Sequence, residues 1–157
     1  MKTLRAAVLG LVMAAAGVFL PGGPPRAAES APAALVIRTA AGASHPFRVE
    51  VVASPEDRAR GLMYRPGLAA DAGMLFDFGE VQPVAMWMKN TLIPLDMLFI
   101  AADGRVVSIA ERTVPHSLEP VGPAEPVRSV LEVPGGTAAR LGIRAGDRIE
   151  HPLFSRR

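Results

Sequence analysis

Residues 95–111 read Leu95-Asp96-Met97-Leu98-Phe99-Ile100-Ala101-Ala102-Asp103-Gly104-Arg105-Val106-Val107-Ser108-Ile109-Ala110-Glu111. The first six are apolar except for Asp96, and their number fits a buried strand. Asp103-Gly104 is the strongest short signal for a hairpin, because the glycine accepts a positive φ at little cost. A second strand is predicted over 105–111. With a two-residue turn Ala102 faces Arg105, and the same register carried outward sets Asp96 opposite Glu111. Like charges directly opposite repel unless a cation or a proton intervenes. Lys89 and Arg112 are the nearby cations.

Working outward, residues 35–37 and 47–51 are strand candidates that form a first hairpin across a turn at 39–44. Phe47, Val49 and Val51 alternate with Arg48 and Glu50, the period of a half-exposed strand. Ser54-Pro55-Glu56-Asp57 is a helix start: Ser54 caps, Pro55 suits the first position and two carboxylates face the positive helix end. This helix is predicted to run to Arg60 and stop near Gly61. Further strands are predicted over 73–78, 84–90, 127–133 and, at an edge, 147–150. A second short helix is predicted from Thr137, as its cap, to Gly142. The pattern is α+β and mainly antiparallel β: a compact, barrel-like sheet with two short helices.

The segment Trp87-Met88-Lys89-Asn90-Thr91 holds the single tryptophan and, apart from Lys2, the single lysine. On a strand Trp87, Lys89 and Thr91 share one face, and Met86, Met88 and Asn90 the other. An aromatic surface beside an ammonium suits a bound ligand; a lysine stem packed on an indole gives the same pattern. Pro94-Leu95-Asp96 follows, so a bend at 90–95 is expected to bring Lys89 to Asp96 as an ion pair. Arg60 and Arg65 flank the helix end. Arg60 is read as the partner of Glu56 four residues earlier, and Arg65 is left open as an anion-binding guanidinium. The candidate ligand-binding residues are thus Trp87, Lys89, Asn90, Asp96, Glu111 and Arg65. No catalytic residue and no cofactor are assigned, because elbow, phosphate-loop, dinucleotide and zinc-peptidase signatures are missing from the chain. No metal is assigned either: His45, His116 and His151 are scattered. Met86 and Met88 form a thioether pair that could select Cu(I), but they also suit a buried strand.

The first thirty residues have the order of an export signal: Lys2 and Arg5, an uncharged apolar run over 6–20, then Pro21-Gly22-Gly23-Pro24-Pro25 and small residues. The run is shorter than the ~20 residues of a membrane-spanning helix. A signal peptide is therefore placed at 1–28, a flexible lead-in at 29–33 and one domain at 34–157, with cleavage expected between Ala27 and Ala31. Three of the 17 basic residues leave with the signal, which leaves 14 against 15 acidic ones, a net charge of −1. That balance gives no support to a nucleic-acid partner, which would need a basic face, and none is expected. A cysteine-free chain carries no disulfide and no lipidated cysteine. The expected location is periplasmic or secreted, with no membrane contact after cleavage and a monomeric state.

Arg60-Gly61-Leu62-Met63-Tyr64-Arg65, Met74-Leu75-Phe76, Trp87-Met88-Lys89-Asn90-Thr91 and Pro94-Leu95-Asp96 together resemble the DUF192 family. So do Asp103-Gly104-Arg105-Val106, Val130-Leu131-Glu132, Gly136-Thr137-Ala138 and residues 142–147. The resemblance spans the chain beyond Val36 and implies a compact β-rich domain with two short helices; it implies no activity. Tyr64 stands where the family commonly has Phe, and Arg112 where Asn is expected after Glu111.

Three functions stay open on these residues. One is a non-catalytic binding module for a small polar or anionic ligand, such as a carbohydrate. A second is a hydrolase using Asp96 and Glu111 as paired carboxylates. The third is a protein-interaction domain in which Trp87 and Lys89 are structural.

Overall fold

The computed structural model describes residues 32–155. The signal peptide and most of the lead-in lie outside these residues. Ala33, expected in the lead-in, already belongs to the first strand. The elements in chain order are β1 (Ala33–Arg38), β2 (Ser44–Val52), α1 (Pro55–Arg60), β3 (Ala72–Gln82), β4 (Leu95–Ile100), β5 (Val106–Ala110), β6 (Val127–Pro134), α2 (Thr137–Leu141) and β7 (Arg148–Glu150). A short 3-10 turn follows at Pro152–Phe154.

The strands form one sheet in the order β5-β4-β6-β3-β2-β1-β7. Its pairings are antiparallel except that of β2 with β3. Parallel neighbours need a crossover, and α1 supplies it. The sheet is thus mixed, not simply antiparallel. It curls until β7 reaches the β4–β5 hairpin: Ile149 N–H donates to Gly104 O and Val106 N–H to Asp147 O, each at 2.8 Å. The edges meet only there, so the barrel is a half-barrel. Gly104 has φ 86°, and a Cβ on it would lie 2.6 Å from the Ile149 carbonyl oxygen. The Asp-Gly signal therefore marks both the turn and the closure.

The two faces of the sheet bury different cores. Leu35, Phe47, Val49, Leu75, Leu98, Leu131, Val133 and Ile149 line the inner face, with Ala138 and Ile143 around α2. Met74, Phe76, Met97, Phe99 and Val130 line the outer face. Each such side chain contributes about 1.5–3 kcal/mol on full burial. Three crossing segments cover the outer face: α1 with its following turn (53–71), residues 83–94 and residues 111–126, which place Leu62, Met88, Val84, Met86, Ile93 and Val121 on it.

Residues 84–90 are not a strand. Only Met86 bridges to Val121, and Met88 N–H donates to Ser117 O at 3.0 Å. The strands on either side of this stretch, β3 and β4, already have neighbours at both edges. The segment has no edge to join, so it lies across the sheet with Val84, Met86 and Met88 inward. The hairpin also differs. Gly104 N–H donates to Ala101 O, and Ile100 pairs with Val106. A register shift beyond Phe99 then offsets the longer loop, and Met97 faces Ala110 as the simple register predicts.

Candidate functional site

The helix α1 forms as local chemistry dictates. Ser54 Oγ accepts from Asp57 N–H at 3.1 Å, and Gly61, at φ 47°, ends it. The turn beyond is tied to the neighbouring crossing segment, because Tyr64 N–H donates to Asn90 O at 2.9 Å and Asn90 Nδ2 to the Tyr64 hydroxyl at 2.7 Å. The hydroxyl that distinguishes Tyr64 from Phe thus has a partner. Residues 86–91 are tied on their other side to 116–121 through Met86, Met88 and Thr91. Tyr64, Asn90, Arg112 and His116 are the non-glycine residues with positive φ among the described residues, and all four lie in the crossing segments. These sharp bends let irregular chain cover a sheet face.

Between 58–63 and 85–89 the cover parts, leaving a cleft of about 210 Å³. Leu62, Met63 and Met86 form its walls, Phe76, Phe78 and Glu132 its floor, and Arg58, Arg60, Trp87 and Lys89 its remaining lining. Trp87 is 47% exposed, and Lys89 Nζ lies 5.1 Å from its ring centroid. Arg58 stands 5.1 Å from the Phe78 ring and donates to Ala53 O and Asp77 O at 2.7 and 2.9 Å. Arg60 is exposed and does not form the expected pair with Glu56.

Glu132 is the residue that sequence reasoning missed. It lies on β6, between Met74 of β3 and Met97 of β4. It is 4% exposed, and its carboxyl has no hydrogen-bond or ionic partner among the described residues. Burial pushes its pKa up to about 8, so it is a neutral acid at pH 7. Its oxygens open to the cleft and are not among the fully enclosed side-chain atoms without a partner, which are His45 Nε2 and Ser129 Oγ among the described residues. A perturbed acid of this kind in a cleft is a mark of a functional site. The available signal was a lone carboxylate in the apolar run 130–133, but only the cover decides whether it meets protein or a ligand.

The six candidates divide. Trp87 and Lys89 come together in the cleft; Arg65, Asn90, Asp96 and Glu111 are not part of its lining. Asp96 is completely buried and accepts from the N–H groups of Arg112, Gly136 and Ala138 at 2.8, 2.9 and 2.7 Å. It, and not Thr137, caps α2. The expected Lys89–Asp96 pair does not form, because Lys89 is exposed over Trp87 and both carboxylate oxygens of Asp96 are occupied. Glu111 does not face Asp96 within the sheet: β5 ends at Ala110, and Arg112 turns, at φ 48°, to present its own N–H. Glu111 is left exposed. Asn90 donates to Tyr64, and the two terminal guanidinium nitrogens of Arg65 pair with the Glu50 carboxylate.

The methionine pair is also split. Met86 lines the cleft beside Trp87, whereas Met88 is buried and receives the Thr113 hydroxyl at 3.1 Å. The alternation that would part Met86 from Trp87 fails because this stretch is not a strand. No group of three or more His, Asp or Glu side chains sits at metal-binding spacing among the described residues. No helix among them is long and apolar enough to cross a membrane.

Half-barrel and cleft define a small β domain with an acid at the floor of a cleft lined by both apolar and cationic side chains. The chain belongs to the DUF192 family, described as an uncharacterized ACR, whose model matches residues 36–151. A crystal structure from Sinorhizobium meliloti 1021, of a candidate transcription regulator, is 50% identical with a TM-score of 0.77, covering 80% of this chain and 96% of that one. A protein of unknown function from Novosphingobium aromaticivorans DSM 12444 is 39% identical with a TM-score of 0.73, covering 83% of this chain and 100% of the other. No curated protein matches.

Proposed function

We propose that this DUF192 protein is an exported, monomeric, non-catalytic binding module whose cleft takes a small ligand carrying one ring and a negative charge. The observation that carries this reading is the partnerless Glu132 carboxyl on the cleft floor. A cavity of about 150 Å³ holds benzene, so about 210 Å³ accommodates one six-membered ring with a small substituent or two. The cations Arg58, Arg60 and Lys89 favour an anion, and the thioether and aromatic walls favour an apolar ring body. A sugar acid meets the charge requirement, but the walls offer it few hydrogen bonds.

Asp96 and Glu111 do not support the hydrolase reading, because one is consumed as a cap and the other faces solvent. The net charge without the signal gives no support to a nucleic-acid-binding role for this chain. Tyr64, Leu92, Val114 and Leu118 are exposed on the same crossing segments, which favours a protein-interaction surface as the second reading.

The single tryptophan makes the first reading measurable. Trp87 emission is followed while benzoate, cyclohexanecarboxylate, glucuronate and glucose are titrated to millimolar concentration. Saturable change with a cyclic carboxylate, weakened in Lys89→Ala, is the expected result. A flat response to all four, with no amide shifts at 58–63 or 85–91, would reject the small-molecule reading and leave the interaction surface.

A further inference from the structure

Resting on that reading, we propose that Glu132 enters the complex as a neutral acid and donates its proton in a hydrogen bond to an uncharged oxygen of the ligand. The ligand class is then a monocyclic carboxylate with a carbonyl or ether oxygen across the ring from its carboxylate. The cations and the buried acid face different ends of such a molecule. Lys89 and Arg60 are exposed and meet the carboxylate where it keeps part of its hydration. Glu132 lies beneath, flanked on its strand neighbours by Met74 and Met97, which have no hydrogen to give. A ligand oxygen there satisfies a carboxyl that the protein leaves unsatisfied. A ligand carboxylate there would lose its water among thioethers and aromatic rings.

The charged groups that bear on Glu132 come from the segments that cover it. Arg58 and Arg60 come from α1, Lys89 from the segment at 83–94, and none from β3 or β4. On β2, Glu50 sits in the same row beyond Met74, already paired with Arg65. Two strand spacings, about 10 Å, separate it from Glu132. Burial alone holds Glu132 protonated up to about pH 8. Above that pH the carboxylate has no proton to donate and repels an anion, so affinity is highest below pH 8 and falls above it.

The probes are 4-oxocyclohexanecarboxylate and cyclohexanecarboxylate, neither of which titrates between pH 7 and 9. Dissociation constants are measured by calorimetry on the full mature chain. Wild type is expected to bind the oxo acid about tenfold more tightly at pH 7, a preference worth one hydrogen bond, and to lose about tenfold of that affinity by pH 9. Glu132→Gln keeps a donor and so keeps the preference, but without the pH dependence. Glu132→Leu binds both acids alike. Equal, pH-independent affinities of wild type for the two acids would overturn this inference while the binding reading stands. A wild-type pH dependence retained in Glu132→Gln, or a preference retained in Glu132→Leu, would overturn it as well. Binding of neither acid by wild type would reject both.

Discussion

Asp96 and Glu132 are two buried acids on adjacent strands, and they face opposite sides of one sheet. Asp96 looks to the side that α2 closes, where three backbone N–H groups converge on it. Glu132 looks to the side covered by irregular chain, where no described residue offers it a hydrogen bond or an ion pair. The same chemical group is structural on one face and a candidate for binding on the other. What differs is whether the covering element offers backbone donors. The start of a helix exposes unpaired N–H groups. In the crossing segments over Glu132, the N–H groups of Tyr64, Met86, Met88 and His116 go to carbonyls of the neighbouring crossing segments.

The sharpest way to break this contrast is Asp96→Ala. It strips three donors of their acceptor and is expected to cost about 3–5 kcal/mol in a denaturant melt. Lys89→Ala should be nearly silent, and the double variant additive. A strong loss from Lys89→Ala with non-additivity would restore the ion pair that the geometry denies.

Glu132 should act in the opposite sense. Its folded pKa of about 8 lies above the ordinary carboxylate value. The unfolded chain therefore releases the proton first, and stability falls as pH rises from the ordinary value to about 8, then levels. The slope is about 1.4 kcal/mol per pH unit between the two pKa values and halves at the folded one, so about 2 kcal/mol separates pH 6 from pH 8. Glu132→Gln should flatten that part of the curve. Melts at pH 5, 6, 7, 8 and 9 check it; an unchanged slope in the variant would show that Glu132 is not its source.

A smaller effect tests the closure of the inner side. Gly104→Ala must hold a positive φ and press a methyl on the Ile149 carbonyl. About 1–3 kcal/mol of destabilisation is expected, with faster amide exchange at Val106 and Ile149. Full retention of stability would mean that the half-barrel does not depend on that contact.

The smallest effect is a gain. Arg112 holds a left-handed conformation, φ 48°, at a position where the family resemblance leads one to expect Asn. Asn adopts this conformation more readily, so Arg112→Asn should stabilise by about 0.5–1 kcal/mol. Its backbone N–H still reaches Asp96, so a loss would show that the Arg112 side chain, which packs near Gly136, matters more than its φ.

What could be read from the chain alone was local. The first helix, from the Ser54 cap to Gly61, was legible because its start and stop signals lie within eight residues. The strands β4 and β6 were legible because burial on both faces leaves apolar runs. The family followed from spaced motifs. Tertiary structure decided the remainder. The stretch 84–90 alternates like a strand, but strand formation needs a free edge, and the sheet order leaves none there. Asp96 caps a helix 40 positions away, a partnership that no local pattern encodes. Lys89 and Trp87 share the cleft as expected of one site, but the acid beneath them is Glu132, brought in from a strand 43 positions beyond Lys89 by pairing alone. Sequence carries the preference of each residue for water or for its near neighbours. Which donors reach a buried carboxylate depends on how distant segments pack, and that is settled only when the chain has closed over both faces of the sheet.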